Sequence, residues 1–519
     1  MNDFASLPMP LRPGSRLLPP EEGRRASALA ALWSHVCQHR QLPFLLIAAF
    51  YLILPNLPLL LSAHVLGAAP HGYINLEYLI IGVASVFLPR SAVFLLLAVD
   101  SLADLAYTIC YAYQFPVGDL LSSVRYLPQL PVNRVLGGIA FLVLLLAICA
   151  LLAWFRPRFH QNLRTAATLL VLIALLTPID WLSGQNPLSH RDTATLSFRI
   201  ARSPVLTLLW RQVKTVRASG GPPNASERSA SAQVLMLLDS HSSAAGSPNV
   251  VLVLVESWGL LRDPHLAQAL AAPYDDPRVA SRYKVSYGSV PFTGLTVPGE
   301  ARELCHSAIG FGIIQSSTEH MEQCLPAYFH ARGYQNMAVH GYVGKMFYRS
   351  TWYRNLGFDQ LWFERLLKRE GLPVCHGAFP GICDASIAHW IGSSLLSVDQ
   401  QKPEFIYWVT LNSHIPVPAH PDLPDDSVCA TQPALQNSIP LCSWFRLVRS
   451  VHQSVQQTAL GATARPTIFI LVGDHAPPFS DPKLRSQFSS TQVPYVMLTP
   501  VEIAALKPDP SSEEMSLEV

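Results

Sequence analysis

Asn249–Gly259 reads NVVLVLVESWG, six consecutive Val and Leu residues running straight into a glutamate. The run is too short to span a bilayer and shows no alternation, so it reads as a strand buried on both faces. Glu256 would then stand at its carboxyl end. Phe405–His414 (FIYWVTLNSH) and Thr467–Phe479 (TIFILVGDHAPPF) repeat the form, an apolar strand followed by polar residues, and Val493–Pro500 (VPYVMLTP) is a further strand. Continuous apolar strands between helical stretches imply a mainly parallel sheet covered on both faces, whose functional groups gather at the carboxyl ends of the strands.

Those ends carry Glu256, His414, Asp474 and His475. Two carboxylates and two imidazoles on one sheet edge form a donor set suited to a divalent metal, zinc or manganese. A hydroxyl would complete it. Phe292–Cys305, FTGLTVPGEARELC, places Thr293 and Thr296 where a helix is expected to begin. Either threonine could simply cap that helix. A hydroxyl there also sits in the positive field of a helix N-terminus, beside amides that favour anions, which suits a nucleophile carrying a phosphoryl or sulfuryl group.

The sheet accounts for only part of the 519 residues, so more than one domain is expected. Charged residues make up 14% of the chain, hydrophobic residues 50%, and the mean hydropathy is +0.25, a balance that points to a membrane protein with a sizeable water-soluble part. A net charge of +2 with no dominant basic face argues against nucleic acid as a partner. Apolar runs at 43–63, 73–89, 91–113, 133–155 and 166–183 predict a bundle of five transmembrane helices over 43–183. Ahead of it lies a polar tail, 1–42, and after it a juxtamembrane helix and Gly/Pro/Ser-rich linker, 184–248. The α/β domain would occupy 249–519.

Arg12, Arg16, Arg24, Arg25 and Arg40 precede the first span, Arg90 joins the second to the third, and Arg156–Arg164 joins the fourth to the fifth. All fall on one side if the N-terminus is cytoplasmic, which places the C-terminal domain outside. The loop Gln114–Asn133 is then also outside, resting on the membrane surface as a short amphipathic segment. Asp100 and Asp104, one helical turn apart in the third span, are costly there and therefore of interest. Cys305, Cys324, Cys375, Cys383, Cys429 and Cys442 all lie in the outer domain, an even count that predicts three disulfides, with sequential pairing the simplest arrangement.

The order strand–Glu256, threonine at a helix start, strand–His414, strand–Asp474–His475 resembles the alkaline phosphatase/sulfatase superfamily. The five membrane helices narrow the resemblance to its membrane transferases, the lipoteichoic acid synthases and phosphoethanolamine transferases. The motifs that carry it are VLVESWG, TGLT and VGDH. The resemblance implies a metal held by Glu256, Thr293, Asp474 and His475. Thr293 is the implied nucleophile, because TGLTVP matches a family pattern of a nucleophile, a supporting Ser or Thr three residues on (here Thr296), and Val-Pro. It also implies phosphate or substrate contacts from Arg349, His414 and His340. The implied activity is transfer of a phosphoethanolamine or phosphoglycerol group from a phospholipid donor to an envelope glycan or glycolipid through a phosphothreonine. The implied location is the bacterial inner membrane, multi-pass, with the catalytic domain on the periplasmic side. A tethered sulfatase or phosphodiesterase, and an inactive envelope scaffold, are the alternatives. DHAPPF replaces the glycine common after Asp–His, and no histidine follows His475, so donor and acceptor stay open.

Overall fold

The computed structural model describes residues 49–65, 73–113, 120–154, 159–182, 201–209, 229–240 and 247–505, apart from 122, 131, 207, 308, 316–322, 397–401, 418–426, 462, 464 and 480. The polar tail and most of the expected juxtamembrane helix and linker lie outside the described residues.

The N-terminal block contains helices α1 (Leu57–Val65), α2 (Leu76–Ala84), α3 (Arg90–Tyr113), α4 (Val132–Trp154) and α5 (Phe159–Leu182). Two stretches are long and apolar enough to cross a membrane, Arg90–Cys110 and Val135–Trp154; Ala49–Leu61 and Leu163–Pro178 are shorter apolar helices. The five expected spans therefore reduce to two of sufficient length among the described residues. The run at 73–89 supplies only the nine residues of α2, about 14 Å against a hydrocarbon core of about 30 Å. Its start is set by Asn75, whose side chain accepts from Glu77 N, and past its end Ser85 Oγ bonds the Gly82 carbonyl. Pro178 interrupts the apolar course of α5.

Asp100 and Asp104 are buried in this block and serve to anchor it. Arg202 donates from Nε and Nη2 to Asp104 at 2.7 and 2.6 Å, and Asn75 Nδ2 donates to Asp100 at 3.1 Å and Asp104 at 3.3 Å. Ile74–Asn75 pairs in parallel with Ala201–Arg202. The chain leaving the helical block is thus tied back to it by a short ladder and a buried ion pair.

The C-terminal domain is built on seven strands, β1 (Asn249–Val255), β2 (Tyr283–Pro291), β3 (Gln335–His340), β4 (Gln360–Phe363), β5 (Glu404–Val409), β6 (Thr467–Gly473) and β7 (Gln492–Pro500), in the order β2-β7-β6-β1-β5-β3-β4. The five strands from β6 to β4 are parallel; β7 runs antiparallel to both β6 and β2. Every residue of β1, β5 and β6 is buried, which is why these strands are apolar without alternation. Val251, Val253 and Val255 face one core with Trp444, Val448 and Val451. Val250, Leu252 and Leu254 face the other with Ala301, Leu304, Phe329 and Trp352.

The covering helices include α6 (Ala232–Ser240), α7 (Pro264–Ala271), α8 (Thr296–Cys305), α9 (Leu325–Ala331), α10 (Arg349–Asn355), α11 (Asp384–Leu395) and α12 (Ile439–Leu460). Three disulfides join Cys305–Cys324, Cys375–Cys383 and Cys429–Cys442, the sequential arrangement. The first links the end of α8 to the residue that opens α9, so the element carrying the threonines is clamped at its far end.

Candidate active site

Strand register brings the site together. β1 and β6 pair from Asn249 beside Thr467 to Val255 beside Gly473, so Glu256 and Asp474 emerge from adjacent strands at the same level. Asp474 N donates to the Val255 carbonyl at 3.2 Å. Gly473 is required between them, since a Cβ there would lie 1.9 Å from the Trp258 carbonyl oxygen. β5 ends beside them. Thr410 Oγ1 accepts from Glu256 N at 2.8 Å, and Ser413 donates to the Glu256 carbonyl at 2.6 Å.

Glu256, Asp474 and His475 offer one ligand atom each within 4.8 Å of one another, all buried. His475 Nε2 lies 3.5 Å from Glu256 Oε1 and 3.4 Å from Asp474 Oδ2. Its Nδ1 faces the Ala476 carbonyl at 2.9 Å, an arrangement that fixes the proton there and leaves Nε2 as the donor atom. Asp474 Oδ1 accepts from Ser257 N and His475 N at 2.7 and 2.6 Å, whereas the buried Oδ2 accepts no hydrogen bond. An orphaned carboxylate oxygen beside an imidazole and a second carboxylate fits a divalent cation. Burial, then Glu256, pushes Asp474 up; burial opposes charge on His475, but Asp474 and Glu256 raise it to about 9. Burial opposes charge on Glu256 as well, and His414 and His475 more than offset it, holding that carboxyl below its usual range.

The hydroxyl in this cluster is Thr296. Its Oγ1 donates to Glu256 Oε2 at 3.0 Å, and it is the first residue of α8. Thr293, expected as nucleophile and metal ligand, is exposed and absent from the pocket lining. The reason is local: the helix begins only at Thr296, and Gly294 between the two threonines takes a φ of +75°. The structure therefore moves the hydroxyl three residues along the chain.

A cavity of about 110 Å³ opens over the cluster, its walls including Glu256, Thr296, His340, Arg349, His414 and His475. His340 Nδ1 lies 3.0 Å from the Val409 carbonyl; burial, then the Arg349 guanidinium, lowers it to about 3, so it is neutral. His414 Nδ1 faces the Ile415 carbonyl at 2.8 Å. Arg349 reaches the cavity but is also committed to Glu300, donating from Nε at 2.9 Å and Nη2 at 2.6 Å. Tyr353 Oη donates to the other oxygen of Glu300.

Several supporting residues escape sequence reading. Ser257, at a φ of +55°, donates to Glu256 Oε1 at 2.8 Å. Arg302 holds the end of β6 through the Gly473 and Asp474 carbonyls at 2.6 and 3.2 Å. Asp384 accepts from Leu411 N and Asn412 N and so positions the loop carrying His414. A buried helix rich in charge, PGEARELC, was the available signal: all residues from Val297 to Leu304 are buried.

A cluster able to hold a metal, with a hydroxyl at a helix N-terminus on the carboxyl edge of a mostly parallel sheet, is an arrangement suited to hydrolytic or group-transfer chemistry. The family model described as Sulfatase matches residues 248–517, just over half of the chain. The chain belongs to the sulfatase family and is an enzyme of that superfamily. A candidate cyclic beta-1,2-glucan modification protein of Rhizobium meliloti (strain 1021) is 25% identical over 256 residues, 47% of this chain and 37% of that protein, so the chain spans little more than a third of that relative. The lipoteichoic acid synthase LtaP from Listeria monocytogenes matches at 13% identity and a TM-score of 0.35, covering 49% of this chain and 66% of that one. The Streptococcus pyogenes phosphoglycerol transferase GacH, in complex with sn-glycerol-1-phosphate, matches at 16% identity and a TM-score of 0.36, covering 51% and 73%.

Proposed function

We propose that the protein is a membrane-anchored, metal-dependent transferase that moves a phosphoethanolamine or phosphoglycerol group from a phospholipid to an envelope glycan or glycolipid. Its N-terminal block would hold the catalytic domain at the outer, periplasmic face of a bacterial inner membrane. The observation that carries this reading is the hydrogen bond from Thr296 Oγ1 to Glu256 inside the Glu256–Asp474–His475 cluster.

Those three side chains, with Thr296, would hold a zinc or manganese ion, which when bound lowers the hydroxyl pKa and neutralises phosphate charge. Thr296 Oγ attacks the lipid phosphorus and gives up to solvent the proton that it directs toward Glu256 in a hydrogen bond. The bond between phosphorus and the glycerol oxygen of diacylglycerol breaks, and that oxygen takes up a proton. His414 is the imidazole suited to supply it, because His340 is held neutral. In the second half an acceptor hydroxyl attacks the same phosphorus, returning a proton to His414, which gave one up in the first half, and the Thr296 oxygen departs and takes its proton back. The N-terminus of α8 stabilises the anionic groups throughout. Similarity to a Rhizobium protein described as acting in cyclic beta-1,2-glucan modification favours a glycan acceptor.

The test is to expose the full chain to vesicles of phosphatidylethanolamine or phosphatidylglycerol and analyse the peptide containing residues 293–302 by mass spectrometry. Head-group phosphate on Thr296 with release of diacylglycerol is expected. Release of the head group to water with no adduct would replace the transferase reading by a hydrolase.

A further inference from the structure

Between α3 and α4 the chain forms a 3-10 turn, Val124–Gln129. The sequence places this loop on the membrane surface, yet Tyr126 is buried in a core of the catalytic domain. Its ring stacks at 6.2 Å on Phe311 and meets Phe347 at 5.3 Å and Tyr348 at 5.7 Å. Gln129 Oε1 accepts from Phe347 N at 2.9 Å. Phe311 and Phe347 are both walls of the cavity over Thr296.

The turn that receives this contact is unusual. Phe347 and Tyr348 occupy left-handed backbone conformations in succession, at φ of +53° and +54°, a region that bulky residues avoid. Bonds from Met346 N to the Val343 carbonyl and from Tyr348 N to the Lys345 carbonyl close the turn locally. Trp352 Nε1 donates to the Phe347 carbonyl at 3.1 Å. The remaining backbone group of Phe347, its N–H, is the one bound by Gln129. Immediately after the turn comes Arg349, whose fork grips Glu300 on α8, the helix that begins with Thr296.

We propose that Tyr126 and Gln129 are positioning residues of the active site: the N-terminal block holds the left-handed Phe347–Tyr348 turn, and through it the grip of Arg349 on Glu300 of the helix that begins with Thr296. The inference rests on the transfer site proposed above, and it makes docking of the helical block a condition for full activity. A catalytic domain drawn away from the block would keep its metal ligands but lose the register of this wall.

The experiment uses the full chain in vesicles with a fluorescent-acyl phosphatidylethanolamine, alongside hydrogen exchange of residues 346–353. Gln129→Met removes the acceptor at similar length, Gln129→Glu keeps an acceptor oxygen, and Tyr126→Ala removes the ring. Gln129→Met and Tyr126→Ala are expected to speed exchange at the turn several-fold and to lower kcat about tenfold, the scale of one lost hydrogen bond at its upper limit. KM and metal content should change little, and Gln129→Glu should restore kcat. Unchanged exchange and unchanged kcat in both variants overturn the proposal, as does equal loss in Gln129→Met and Gln129→Glu. If the wild type transfers nothing from the lipid while exchange still responds, the positioning role stands and the transferase reading fails.

Discussion

Thr296 Oγ1 lies 3.0 Å from Glu256 Oε2, whereas Thr293, three residues earlier, is exposed. Alanine at the two positions should therefore differ in kind. Thr296→Ala removes the hydroxyl in the cluster, so turnover should fall to background and no phosphothreonine should form. Thr293→Ala should stay within a few-fold of wild type. Full loss of activity in Thr293→Ala, together with head-group phosphate on Thr293 of the wild-type chain, would return the nucleophile to the earlier residue.

Metal binding should weaken as pH falls. Two carboxylates raise His475 to about 9, so the free cluster keeps a proton at neutral pH that a cation must displace. For each proton released, affinity drops about tenfold per pH unit on acidification. Competition titrations of zinc and manganese against a chelator at pH 8 and 6.5 measure this. Asp474→Ala and His475→Ala should lose the metal while the disulfide-bonded fold persists.

Glu300 and Arg349 form a buried pair, with side chains 0 and 4% exposed. Removing one partner strands the other charge, so Glu300→Gln or Arg349→Met should destabilise the domain by about 3–5 kcal/mol. Replacing both with apolar residues should recover much of that stability and none of the activity. Urea unfolding monitored by tryptophan fluorescence separates the two effects.

His452 ties acid sensitivity to a position away from the cluster. Burial, then Arg449, lowers it to about 3, against about 6.5 in the unfolded chain. Between those values the unfolded state takes up a proton that the fold refuses, so this group subtracts stability as pH drops below about 6.5 and is silent above it. From pH 7.5 to pH 5 the loss is about 2 kcal/mol. His452→Phe should flatten that part of the stability–pH curve relative to wild type. A slope equal to wild type would place the acid sensitivity elsewhere.

Runs such as NVVLVLVESWG and TIFILVGDH carry their meaning locally. A strand buried on both faces must be apolar throughout, and a polar residue can follow only where the strand leaves the sheet. Glu256, Asp474, His475 and the α/β class were legible for that reason, and His414 could be placed on the same edge, whereas His340 entered only through the family resemblance. What the residue pattern could not express was distance through space. Which threonine meets Glu256 depends on where α8 begins, and that turns on the left-handed Gly294 and the packing of the helix against β6. The run GEARE looks solvated because its partners are remote: Arg302 bonds carbonyls 171 and 172 residues away, and Arg349 meets Glu300 across 49. Five apolar runs likewise do not fix five spans, because an apolar segment can end early at a cap, as α2 does at nine residues. Local periodicity chose the elements, and long-range pairing of buried polar groups chose which residues meet at the site.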